Sequence, residues 1–217
     1  MRSAIVGILV GLGVLLVVDA VFVRLGLAPG VLPDLGAPAW ITSRAAGVAA
    51  LVALTTDVLF GLFVSTGALN RWCARGRSVE LHRWLSAVTL GLVGLHALVL
   101  GADRFVRLDA LDATIPFFSA YERLAVGLGV LTAYGALFVH ASFGWIGRIS
   151  GYAWRKLHYV SFVVLAGAVV HALLLSKGDG VTRTVAGVAL ATVPPLGLLR
   201  AIQSARTRTS SASRSLG

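Results

Sequence analysis

Windows of about 20 apolar residues recur along the whole chain, and each is long enough to cross a bilayer as a helix. Hydrophobic residues make up 57% of the 217 residues and charged residues 13%, at a mean hydropathy of +0.87, which excludes an ordinary soluble domain. We therefore predict an all-α, polytopic integral membrane bundle of six transmembrane helices. The predicted spans are Ala4–Val23, Ala45–Thr66, Leu81–Leu100, Leu124–Phe143, Ala153–Leu175 and Val181–Ile202.

The net charge of +10 is unevenly placed along the chain. With a cytoplasmic N-terminus, twelve basic residues fall in inner segments and seven in outer ones, as the positive-inside rule requires. We expect a multi-pass protein of the cell membrane with both termini in the cytoplasm. Its inner basic residues would meet anionic lipid headgroups, and nucleic acid is not an expected partner. The inner basic residues are Arg2, Arg71, Arg75, Arg77, Arg83, Arg148, Arg155, Lys156, Arg200, Arg206, Arg208 and Arg214.

Domain organisation follows from the short links between spans, which leave no room for a second folded unit. Residues 1–203 form one six-helix domain. The tail Ser204–Gly217 is rich in Ser, Thr and Arg, so we predict that it is disordered and cytoplasmic. The longest outer connection, Gly101–Ala120, is expected to fold back over the outer membrane face, and Pro194–Pro195 should kink or unwind the sixth span.

Four of the five histidines lie inside two predicted spans. His82 and His96 of the third span are 14 residues apart, about 21 Å of rise and close to four turns, so they project from nearly the same face. His158 and His171 of the fifth span are 13 residues apart, which matches in depth but falls about 140° short of whole turns. Either that helix is distorted near Gly167, or its two rings approach the groups that they bind from different sides.

Histidine is costly to place in hydrocarbon, and neutral imidazole is a good ligand for haem iron. Matching by depth pairs His82 with His158 near the inner face and His96 with His171 near the outer face. These pairs predict two b-type haems, or one haem if a single pair is used, and they are about 20 Å apart, too far to share one zinc ion. Cys73 is the only cysteine, which excludes the c-type attachment motif.

Haems with two imidazole ligands have no open site for substrate, so the predicted chemistry is outer-sphere electron transfer without a catalytic residue. The alternative from another class is a haem-free transporter or membrane scaffold, whose histidines bind substrate or neighbouring helices.

Other polar residues near the pairs allow two interpretations each. Arg83, Arg155 and Lys156 could bind haem propionates or simply anchor the inner face. His140 could contact the inner haem, relay protons or lie at the interface. Asp57, inside the second span, could move protons or be a hydrogen-bonded structural carboxyl.

Three segments carry a family resemblance: VELHRWLSAVTLGLVGLHAL, GYAWRKLHYVSFVVLAGAVVHALL and IPFFSAYERLAVGLGVLTAY. Through them Thr42–Gly178 resembles the ferric reductase-like transmembrane domain of ferric reductases, NADPH oxidases and the haem subunit of bacterial periplasmic methionine sulfoxide reductase. The resemblance implies six helices, two b-type haems, and His82, His96, His158 and His171 as their ligands. The 13-residue spacing is typical of that family.

The resemblance also bears on function. No dinucleotide-binding segment follows the helices, so the electron donor is expected to be a separate flavin or nicotinamide reductase or a membrane quinol. An extracytoplasmic acceptor is expected, with ferric iron favoured. Service to a periplasmic reductase such as methionine sulfoxide reductase is the second reading, although that subunit lacks the first histidine of the third helix, which is present here as His82. A superoxide-producing oxidase is the third.

Overall fold

The computed structural model describes residues 39–71, 73–101 and 110–214. Within these ranges the chain is helical and has no β-strand. The first predicted span, Ala4–Val23, lies outside the described residues. The helices are α1 (Ala39–Thr66), α2 (Arg75–Gly101), α3 (Ala110–Thr114), α4 (Arg123–Ala141), α5 (Gly151–His158), α6 (Val160–Leu175) and α7 (Gly180–Arg214), with a 3-10 turn at Ser142–Trp145 after α4.

Five stretches of the described chain are long and apolar enough to cross a membrane. They correspond to the second to sixth predicted spans. Leu98, Leu124 and Val163 are 76%, 70% and 70% exposed on the outside of the bundle, an exterior that suits lipid rather than water. The five stretches are Ile41–Thr66, Arg75–Leu100, Arg123–Trp145, Gly151–Leu175 and Gly180–Gln203.

Four of these helices form a closed ring. α1 packs on α2, α2 on α4, α4 on α6, and α6 on α1, while α7 lies outside the ring against α1 and α6. α2 and α6 occupy opposite corners and do not pack extensively on each other. Side chains therefore have to bridge the space between the two helices that carry the histidine pairs.

Helix α1 is the best-buried member of the ring. Half of its apolar window is buried, against 17–22% for the other four stretches. One face of α1 consists of small residues, which let the α2 backbone approach closely so that Val88 and Leu92 pack against them. The small residues in this contact are Ala49, Ala50 and Ala53.

The described part of the long outer connection folds back along α4. Phe117 has a positive φ of 62°, and its ring lies on Gly127, where an added Cβ would come within 2.2 Å of it. The Tyr134 hydroxyl donates a hydrogen bond of 2.5 Å to the Thr114 carbonyl. Because Gly127 has no side chain, the Phe117 ring packs on α4 there, and this contact holds the connection against the bundle.

Helix α7 extends beyond the sequence-based expectation. It continues to Arg214, across the point where the predicted disordered tail begins, and it is not unwound at Pro194–Pro195; the alternative expectation of a kink there stays a prediction. Residues 204–214 contain neither glycine nor proline, and extending an existing helix costs far less than starting one.

The two ends of the bundle differ in charge. We call one the basic end: it comprises the α1–α2 turn, the first turns of α2, the α4–α5 connection and α5, and it includes His82 and His158. The opposite, mixed-charge end includes Arg44, Glu122, Arg123, Lys177 and Asp179. The basic end contains Arg71, Arg75, Arg77, Arg83, Arg148, Arg155 and Lys156, with Glu80 as its acid.

Asp179 ties α7 to α1 at the mixed-charge end. Its Oδ2 accepts hydrogen bonds from the Thr182 backbone N–H (2.9 Å) and hydroxyl (2.5 Å), which caps the α7 N-terminus, and it lies 3.0 Å from Arg44. Partial burial raises the pKa of Asp179, but the Thr182 hydrogen bonds and Arg44 outweigh that effect and lower it from 3.8 to about 2.

Replacing Asp179 with alanine should lower the free energy of unfolding by about 1 kcal/mol near neutral pH, because the cap and the ion pair are lost. A carboxyl whose pKa is depressed on folding stabilises the protein above the unfolded value and loses that effect as pH falls through the folded value. The difference between wild type and Asp179→Ala should therefore shrink between about pH 4 and pH 2. Thermal unfolding in detergent across this range checks it, and a pH-independent difference would contradict it.

Candidate haem-binding site

In each predicted pair, the two histidines face each other across the space between α2 and α5–α6. At the basic end the ring centres of His82 and His158 are 5.8 Å apart, with planes at 78°. At the mixed-charge end the ring centres of His96 and His171 are 6.2 Å apart, with planes at 84°. Metal–imidazole bonds of about 2 Å on opposite sides of one ion place the two ring centres roughly 6 Å apart. Both separations fit an iron held between the rings.

His96 is oriented by α1. Its Nδ1 lies 2.7 Å from the Ser43 carbonyl oxygen and 3.0 Å from the Ser43 hydroxyl. The ring rests on Gly47, where an added Cβ would be 3.0 Å from Nδ1. An Nδ1–H that donates to a carbonyl leaves Nε2 with its lone pair free for a metal.

His171 is oriented in the same way by α4. Its Nδ1 lies 2.7 Å from the Ala125 carbonyl oxygen, and the ring rests on Gly129. A Cβ at Gly129 would come within 2.6 Å of the imidazole. The two histidines of the mixed-charge pair therefore have equivalent surroundings on two different helices.

His82 is oriented by a side chain instead of a carbonyl. Its Nδ1 lies 2.8 Å from Asp57 Oδ1, a close contact that is poorly aligned for a hydrogen bond, and both residues are buried. The ring rests on Gly61, where a Cβ would be 3.0 Å away. Its Nε2 is buried and has no hydrogen-bond partner among the described residues. A buried nitrogen without a partner is costly, and a metal ligand bond would satisfy it.

In these three cases a glycine follows the residue that contacts Nδ1 by four positions. Where the contact is a backbone carbonyl, at Ser43 and Ala125, the glycine one turn later leaves that oxygen open to a neighbouring helix. Asp57 contacts His82 through its side chain. Ser43 and Gly47 precede Asp57 and Gly61 by 14 residues, the same interval that separates the two histidines of α2. Because α1 and α2 are antiparallel, each histidine meets one acceptor–glycine pair. The equal 14-residue intervals in α1 and α2 are visible in the sequence, but the spacing of the histidines alone does not reveal them.

His158 departs from this pattern. Its Nδ1 is buried without a hydrogen-bond partner among the described residues. The ring instead stacks on Trp154, with centres 4.8 Å apart and planes at 19°. Val139 of α4 and Phe143 of the following 3-10 turn occupy the positions 14 residues after Ala125 and Gly129. Phe143 thus replaces the glycine, and the Val139 carbonyl already accepts a hydrogen bond from Ser142.

Phe143 borders the basic-end pair. Its ring centre is 5.8 Å from both His82 and His158, equal to the distance between them, so Phe143 lies in the plane midway between the two imidazoles. A macrocycle bound in that plane requires Phe143 to rotate. Arg83, His140 and Phe143 line a neighbouring cavity of about 250 Å³ that provides space for this.

The angular mismatch of the 13-residue spacing is reduced in part beside His158 and not at Gly167, through which α6 runs unbroken. Tyr159 separates α5 from α6. Its N–H is shared between the Arg155 carbonyl, four residues back, and the Lys156 carbonyl, three residues back. The contact to Lys156 and the bond that Phe162 N–H donates to the Tyr159 carbonyl are of the 3-10 type. A 3-10 turn rotates the chain by about 20° more per residue than an α-helix, which is the direction needed.

The other polar residues predicted to lie near the haems are not all close to the histidine pairs. Arg83 lines the cavity, whereas Arg155 and Lys156 are exposed and Lys156 lies over the Tyr152 ring. His140 Nδ1 contacts the Ser86 hydroxyl at 3.1 Å, and His140 is not part of either facing pair.

The donor set restricts the metal that each pair could hold. No group of three or more His, Cys, Asp or Glu side chains suitable for a bare metal ion occurs in the described part of the chain. Two facing imidazoles match a group that brings its other ligands with it, as a porphyrin does. The ring separation of the mixed-charge pair suits an ion bound between the two imidazoles, whereas Phe143 lies in the plane midway between the basic-end rings. Comparisons of the chain with protein-family models, curated proteins and solved structures find no match.

Gly129→Ala should lower the free energy of unfolding by about 1–3 kcal/mol, because its Cβ would overlap the His171 ring. Gly94→Ala is the matched control in α2, where an added Cβ meets no other group within 4 Å and alanine should gain up to about 1 kcal/mol of helix stability. Thermal unfolding of both variants in one detergent measures the difference. Equal stabilities would show that the close packing of His171 on α4 is wrong.

Proposed function

We propose that this chain is a membrane electron-transfer protein that holds two b-type haems between α2 and α5–α6. The observation that carries the proposal is the presence of two facing imidazole pairs, one above the other, on helices whose backbones do not pack extensively together. Their separation along α2 is about 21 Å of helix rise, so one pair lies near each end of the membrane span.

The chain's own residues would bind and orient the haems. The four imidazoles would hold the haem irons, two at each level, and contacts at Nδ1 of His82, His96 and His171 orient three of these rings. A haem with two imidazole ligands supplies one-electron outer-sphere transfer. The apolar bundle excludes water from both levels and thereby limits side reactions of the bound groups with water.

The charge asymmetry of the bundle supports a direction of electron transfer. The basic end faces the cytoplasm under the positive-inside rule, so electrons enter there from a separate flavin or nicotinamide reductase or from a quinol. They leave at the mixed-charge end to an extracytoplasmic acceptor, with ferric iron favoured by the resemblance to ferric reductase-like domains. Arg83, which lines the cavity beside Phe143, would be the cation for a propionate at the basic end.

The purified protein should be coloured. Dithionite-reduced minus oxidised spectra should show a b-type signature, and pyridine haemochrome analysis should give about two haems per chain. A colourless protein from haem-sufficient cells would refute the proposal and favour a transporter or scaffold.

Single histidine variants should separate the two levels. His82→Ala should lose mainly the basic-end haem and His96→Ala mainly the other, since each removes one axial ligand from one pair. His140→Ala, outside both pairs, is the control and should retain about two haems. Haem content and redox titration of each variant provide the readout. Equal loss of both haems in the two ligand variants would contradict the pairing.

A further inference from the structure

We propose that the cavity at the basic end is a binding site for a phosphate group, carried by a phospholipid headgroup or present as the free anion. The inference goes beyond the proposed function and does not depend on it, because it concerns a different ligand. The cavity has a volume of about 250 Å³, and none of the described residues that line it is acidic. Its lining residues are Arg83, His140, Ala141, Phe143 and Gly144.

Arg83 supplies the positive charge of this site. Its guanidinium presents five N–H donors in one plane, a geometry that matches two oxygens of a phosphate. The ion pair that Arg83 makes with Glu80 is 3.8 Å long and joins two exposed side chains, so it is weak. Most of the donors of Arg83 therefore remain available to an anion in the cavity.

His140 supplies a second donor. Its Nδ1 lies 3.1 Å from the hydroxyl of Ser86, which is buried. A hydroxyl that donates to Nδ1 leaves the ring proton on Nε2, and Nε2 can then donate to a phosphate oxygen. A guanidinium from α2 and an imidazole from α4 thus border the same cavity, and both can donate hydrogen bonds to one anion.

The wall that carries Phe143 and Gly144 is fixed by its own hydrogen bonds. Both residues lie in the 3-10 turn after α4. The Ser142 hydroxyl donates to the Val139 carbonyl at 2.6 Å, and the Trp154 indole N–H donates to the Ser142 carbonyl at 3.1 Å. A wall that is already ordered lowers the entropy cost of binding a ligand.

The surface beside the cavity favours a lipid as the source of the phosphate. Leu137 lies one turn before Ala141, toward the membrane centre, and is 54% exposed. Tyr134 continues the same exposed face. An acyl chain would cover this face while its headgroup occupies the cavity. In the proposed orientation the basic end meets the cytoplasmic leaflet, where anionic lipids are concentrated.

The test is native mass spectrometry of the full chain in detergent with phosphatidylglycerol and, separately, with diacylglycerol of the same acyl chains, which lacks the phosphate. Wild type should retain phosphatidylglycerol and not diacylglycerol. Arg83→Gln and Gly144→Leu should weaken retention about tenfold, since one removes the cation and the other fills the cavity. A Cβ added at Gly144 meets no other group within 4 Å, so the new side chain enters the cavity without a clash at its base.

Arg148→Gln is the matched control, because Arg148 is exposed at the same end and does not line the cavity. It removes the same charge and should retain wild-type binding. Equal losses in Arg83→Gln and Arg148→Gln would show general attraction to the basic end and overturn the site, as would unchanged binding in Gly144→Leu. Gly144→Leu keeps Arg83 in place, so its result is independent of any contact between Arg83 and a haem propionate, and it decides alone if thermal unfolding shows that Arg83→Gln is misfolded.

Competition with inorganic phosphate separates the two sources of the phosphate group. Displacement of phosphatidylglycerol from wild type would show that the free anion is sufficient for binding. Retention of the lipid in excess phosphate, with loss in Gly144→Leu, would show that the acyl chains contribute and that the ligand is a phospholipid. Retention of diacylglycerol as strong as that of phosphatidylglycerol would overturn the role of the phosphate.

Discussion

A buried imidazole has two nitrogens, and in an apolar bundle each needs a partner because water is not there to provide one. This requirement governs most of the site. His96 and His171 obtain a carbonyl from a helix whose own hydrogen bonds are already made. In both cases the residue four positions after the acceptor is a glycine, Gly47 or Gly129, so the imidazole can lie directly against the helix backbone.

The same requirement explains the architecture of the ring. α1 and α4 are the corners that supply acceptors, and α2 and α5–α6 are the corners that supply imidazoles. Close packing of α1 on α2 through Ala49, Ala50 and Ala53 brings the acceptors within reach. α2 and α6 stay apart, so the free sides of the rings meet across the centre and not on the surface.

The two levels are built alike but not identically. At the mixed-charge end both rings rest on glycine and contact carbonyls. At the basic end one ring faces Asp57, the other stacks on Trp154, and Phe143 fills the position where the pattern would have glycine. The departures fall together at the end that also concentrates positive charge, so the two ends of the bundle differ in the surroundings of their histidines as well as in charge.

Much of this was readable from the chain. The continuous apolar windows determined helices, since apart from a closed β-barrel only a helix hydrogen-bonds all its backbone groups in hydrocarbon. The 14-residue spacing placed His82 and His96 on one face of α2. The His158–His171 geometry was not readable, because it depends on a local 3-10 distortion at Tyr159. Asp57 was visible as a buried carboxyl, but its partner was not. Which imidazole meets which acceptor, and where Phe143 intrudes, depends on how antiparallel helices slide into register. That register is decided only when small side chains on one helix meet large ones on another.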